Sequence, residues 1–113
     1  MPITRLWMAA VILPLGLLTL GPPARAEGPA IYYAWRSAAV NQTECLEQAS
    51  QALTSQQLAP TQTDDTSVAG QGEDSTAVFV CLQGLDATLV MVIVASPSQD
   101  RAMALRDALK QAF

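Results

Sequence analysis

The chain has 113 residues, ten Asp or Glu against six Lys or Arg, a formal charge of −4 and no histidine. That length leaves room for one domain, and the missing imidazole excludes histidine-dependent triads, histidine-based metal centres and a charge switch near neutrality. An acidic chain whose sequence shows no basic patch argues against nucleic acid and anionic membranes as partners.

The N-terminus reads as an address. Met1–Arg5 is short and positively charged, and Leu6–Leu20 is an apolar run broken by Pro14. At about fifteen residues it is too short for a comfortable membrane span. Gly21-Pro22-Pro23 breaks any helix, and Ala24-Arg25-Ala26 matches a small-residue cleavage site. The expectation is a signal peptide over 1–26, cleaved after Ala24-x-Ala26, and a mature single domain over 27–113. No cysteine follows the apolar run and no twin arginine precedes it. The product is therefore expected to cross unfolded, to keep no stable membrane anchor, and to work in the periplasm or outside the cell. Its cations are then Arg36, Arg101, Arg106 and Lys110, against all ten carboxylates. Two cysteines in an exported chain predict one disulfide, Cys45–Cys81, which would stabilise the fold by about 4 kcal/mol on a chain-entropy basis.

Along the mature chain, Ala30–Trp35 predicts an aromatic strand, with Ile31, Tyr33 and Trp35 on one face and Tyr32 on the other. A helix is expected from about Gln42 to Leu58. Asn41 caps it, Glu44 completes a capping box, and Cys45, Ala49, Ala52 and Leu53 form a narrow buried stripe. Ala59-Pro60 ends that helix. Thr61–Ser75 is polar, with a short edge strand expected near Asp65–Ala69 and a turn at Gly70-Gln71-Gly72.

The most apolar mature stretch is a hairpin, Thr76–Gln83 and Ala87–Ala95, turning at Gly84. One face of its first strand carries Ala77, Phe79 and Cys81; the other carries Val78, Val80 and Leu82. Its second strand is apolar on both faces too, Leu89, Met91 and Ile93 against Val90, Val92 and Val94. A sheet covered by helices on one side does not need a second apolar face. Val78, Val80 and Leu82 are therefore candidate binding residues, unless the aromatic strand or the polar segment folds over them. A last helix is expected from Ser96 as N-cap, with Pro97 first and Gln99 third, and Ala102, Leu105, Leu109 and Ala112 as its apolar stripe.

These elements predict an α+β, two-layer sandwich in the order β-α-β-β-β-α. A mostly antiparallel sheet of three to four strands carries two helices, and the Cys81 face lies under the first of them. The signal peptide, the aromatic strand ending in Trp35, Cys45 on a helix and Cys81 in a strand together resemble small secreted two-cysteine proteins of unknown function from cyanobacteria. That resemblance implies an exported domain and supplies no activity.

No phosphate loop, nucleophile elbow or dinucleotide fingerprint occurs. Asp64, Asp65, Glu73 and Asp74 are expected to gather on two arms of one loop. Their spacing matches no calcium loop, and neither a metal nor a cofactor is expected. The functional expectation is a non-enzymatic exported domain that binds another protein or itself as a homodimer through the sheet. The alternative is a thiol-redox or stress-responsive protein using Cys45 and Cys81.

Overall fold

The computed structural model describes residues 28–113; the expected signal peptide and its expected Ala24 and Ala26 cleavage site lie outside the described residues. Strand β1 (Ala30–Ala38) is followed by helix α1 (Gln42–Ser55), then by four consecutive strands, β2 (Ala59–Asp64), β3 (Ser67–Gln71), β4 (Thr76–Gln83) and β5 (Thr88–Ser96), and by helix α2 (Gln99–Ala112). The strands form one sheet in the spatial order β1-β5-β4-β3-β2, with every neighbouring pair antiparallel. Both helices pack on one face of it.

The sheet has five strands where three to four were expected, because Ala59–Gln71 folds as a complete hairpin rather than a loop with one strand. Every residue of β2 is exposed, so no apolar alternation marks it in the sequence. Pro60 is acceptable there because β2 is an edge strand, where a missing N–H can face solvent. The hairpin turns at Asp65-Thr66, and the strand expected near Asp65–Ala69 is present as β3, shifted two residues on, between β2 and β4 rather than at the edge. The expected glycine turn also shifts: Gly70 lies inside β3, and the chain reverses between Gly72 and Ser75, whose carbonyl accepts from the Gly72 N–H at 2.8 Å.

Helix α1 starts as its sequence predicts. Asn41 Oδ1 accepts from the Glu44 N–H at 2.8 Å and Glu44 Oε1 accepts from the Asn41 N–H at 3.0 Å, which satisfies two otherwise orphaned donors. It ends at Ser55, three residues before the expected stop. Gln57 takes a φ of 60°, and this left-handed residue swings Leu58 back into the core, where it is 4% exposed.

Helix α2 begins two residues later than expected. Ser96 is the last residue of β5, paired with Ala30 and bonded to the Ser75 hydroxyl at 3.0 Å. The cap is Ser98, whose Oγ accepts from the Arg101 N–H at 3.1 Å. Ala102 and Leu109 are buried as the stripe requires, while Ala112 is exposed.

The core lies between the helices and one sheet face. Cys45, Ala49, Ala52 and Leu53 from α1 meet Ala77, Phe79 and Cys81 from β4 and Val90, Val92 and Val94 from β5. Phe79 stacks on Phe113 at the end of α2, ring centroids 5.6 Å apart. Side chains of this size contribute about 1.5–3 kcal/mol each when fully buried, so this half of the sheet carries the fold. The Cys45–Cys81 disulfide, with Cα atoms 6.2 Å apart, ties α1 to β4 in the middle of that core.

Candidate functional site

The alternation that buries Ala77, Phe79 and Cys81 turns Val78, Val80 and Leu82 away from both helices. The strand register then builds a surface around them. Across the sheet Trp35 stands opposite Met91, and Met91 opposite Val80. The next row runs Tyr33, Ile93, Val78, Ala69 and Thr61. Beyond it lie Ile31, Ala95, Thr76, Gln71 and Ala59, and on the far side of the centre Ser37, Leu89 and Leu82. The first row continues through Ser67 to Asp64, which puts the one charge of these rows at a corner, at the outer edge of the sheet.

The first strand therefore does not fold over the hairpin. It pairs with β5 over its full nine residues and extends the apolar face by one aromatic strand. Among the described residues nothing covers that face. Tyr33 and Trp35 are each 60% exposed, Ile31 62% and Leu82 50%, while Val78, Val80, Leu89, Met91 and Ile93 are half-buried by one another. The surface has an apolar centre and a polar margin of Ser, Thr and Gln with Asp64 at one corner, the anatomy of a protein-binding patch. The hairpin strands revealed Val78, Val80 and Leu82. Ile31, Tyr33 and Trp35 were legible as one side of a strand, but only the β1–β5 pairing puts them beside the valines.

The four carboxylates expected on one loop are separated by β3. Asp64 and Asp65 sit at its start and Glu73 and Asp74 beyond its end. Asp64 accepts from the Thr66 N–H at 2.8 Å, the Thr66 hydroxyl at 2.9 Å and the Ser67 hydroxyl at 2.9 Å. The Thr66 backbone and hydroxyl donors, followed by the Ser67 hydroxyl, hold its carboxyl below the ordinary aspartate range. It is the organiser of a tight turn. Asp74 pairs instead with Arg101 of α2. No group of three or more metal-ligating side chains occurs among the described residues.

Cys45 and Cys81 are both fully buried and bonded to each other. Exchange with an external thiol requires a thiolate to reach one of the sulfurs, and α1 lies over both. The cavity lined by Ala34, Phe79, Val90, Val92 and Phe113 is only about 10 Å³, room for about one water.

No protein-family model, curated protein or solved structure matches the chain. No helix among the described residues is long and apolar enough to cross a membrane.

Proposed function

We propose that the protein is an exported, non-enzymatic binding domain that acts through its open sheet face, pairing it with a second copy of itself. The observation that carries this reading is the uncovered run of rows from Trp35–Met91–Val80 to Ile31–Ala95–Thr76, whose centre is apolar and whose one charge, Asp64, lies at a corner. A face uncharged over its centre suits self-pairing because two copies bring no like charges together there. At about 4.8 Å between strands and about 3.3 Å per residue, it measures roughly 20 by 25 Å, ~500 Å². Two copies stacked at the usual sheet separation of about 10 Å would bury ~1,000 Å², the lower bound for a specific interface. The thiol-redox alternative needs accessible sulfurs, and the burial of Cys45 and Cys81 weighs against it.

Native mass spectrometry of the protein from its own exported fraction tests both halves of the proposal. A mass starting at Glu27, two hydrogens light and doubled, is the expected result, and the doubling should disappear in Val80→Asp while circular dichroism stays unchanged. A monomer at every concentration overturns self-association, and retention of Met1–Ala26 overturns export. Unfolding of Val80→Asp would place Val80 in the core and overturn the interface.

A further inference from the structure

The two edges of the sheet are built differently. The β2 edge carries Pro60, a register break between Gln62 and Asp64, and acidic residues at its end, all of which discourage further pairing. The β1 edge carries none of these. Its nine residues pair with β5 from Ala30 to Ala38 without a register shift or a proline. On its other side, every second residue turns an unpaired N–H and C=O outward.

Helix α2 runs beside that edge and leaves an open groove lined by Tyr32, Ala34, Arg106, Asp107 and Lys110, which reaches round the edge to Ile31, Tyr33 and Trp35 and continues past Arg36. Although no basic run is visible in the sequence, the fold brings three of the four cations in the described residues to this one groove, with a single carboxylate. Asp107 is paired with Arg106 at 3.0 Å. Among the described residues, Arg36 and Lys110 have no such partner. The Arg36 guanidinium lies 5.5 Å from the centre of the Phe113 ring and that of Arg106 lies 5.6 Å from the Tyr32 ring. A guanidinium held against an aromatic ring keeps its N–H donors available to a carboxylate.

We propose that the β1 edge and the α2 groove form a second binding site, which takes an extended segment of a partner protein as a sixth strand. The spacing sets its chemistry. Arg106 and Lys110 are one helical turn apart, about 6 Å along the axis, close to the about 6.6 Å between alternate residues of a strand. Alternate side chains of an added strand would therefore face these cations and carry carboxylates. The intervening ones would emerge on the opposite face beside Ile31, Tyr33 and Trp35 and be apolar. A second copy adding antiparallel through its own β1 does not fit, because both cation clusters would meet on the same side of the joined sheet. The domain's overall acidity does not oppose this, since at physiological salt charges beyond about 8 Å are largely screened. The site adjoins the self-pairing face along Ile31, Tyr33 and Trp35 but does not include its centre at Val80 and Met91.

The test is titration of the ¹⁵N-labelled protein with the peptide Asp-Val-Asp-Val-Asp-Val, with Lys-Val-Lys-Val-Lys-Val as control. The expected result is slowed hydrogen exchange at alternate β1 amides with the acidic peptide alone, weakening as salt is raised. Lys110→Glu, at an exposed position, should lower affinity about tenfold. Val80→Asp should leave peptide binding intact, which separates this site from the self-pairing face. Equal binding of both peptides, protection elsewhere than β1, or no binding at millimolar peptide would each overturn the proposal.

Discussion

Trp35 and Val80 lie in one row of the open sheet face, two strands apart, with Met91 between them. Trp35 is 60% exposed and is the one tryptophan of the described residues, so it reports directly on whether that row is covered. In the chain lacking residues 1–26, where it is the one tryptophan, its emission should shift to the blue as protein concentration rises, and should stay red at all concentrations in Val80→Asp. Emission independent of concentration in both proteins would mean that the row is never covered by a second copy.

The disulfide makes a separate prediction. It closes a loop across a sequence separation of 36 residues, so replacing both cysteines with alanine should lower unfolding free energy by about 4 kcal/mol on the chain-entropy estimate. Equilibrium urea denaturation checks this. Because both sulfurs are buried, mild thiols should reduce the native protein only as fast as it unfolds.

Gly70 binds β3 closely to the end of α1. A Cβ at that position would sit 3.0 Å from Leu53 Cδ2 and 3.0 Å from Leu58 Cβ. Gly70→Ala should therefore destabilise by about 1–3 kcal/mol through overpacking, read as a fall in the urea midpoint without a change in slope.

The Asp64 turn predicts an acid sensitivity with a definite sign. The folded protein holds this carboxyl below its ordinary value of 3.8. Its contribution is therefore complete above that unfolded value and is lost as pH falls through the lower folded one. Asp64→Asn should flatten the acid limb of the stability profile. A side-chain carboxyl titration by NMR that finds the folded value at or above 3.8 would contradict the turn's hydrogen bonding.

Much of this architecture could be read from residue order. The α1 stripe, the β4–β5 hairpin and the facing of Cys81 towards α1 follow from periodicity, because each buries one side and exposes the other. The β2–β3 hairpin did not announce itself. Its outer strand buries nothing, and its turn is built on Asp64, Thr66 and Ser67 rather than on glycine. The start of α2 shifted because Ser96 and Ser98 are both competent caps, and only the pairing of Ser96 with Ala30 decides between them. The open face was visible in Val78, Val80 and Leu82. Its full width depended on a pairing between distant segments that no local signal encodes.

That distant pairing also governs the order of assembly. Every other strand pairs with a neighbour in sequence, whereas β1 pairs with the last strand, Ala30 against Ser96 and Ala38 against Thr88. Local hairpins close before long loops do. While a chain emerges from its N-terminus, Ile31, Tyr33 and Trp35 must therefore wait without a strand partner until nearly all of the domain has appeared. The aromatic strand is the last piece to join the sheet, and until it does its apolar side chains stay open to any chaperone that handles the nascent protein.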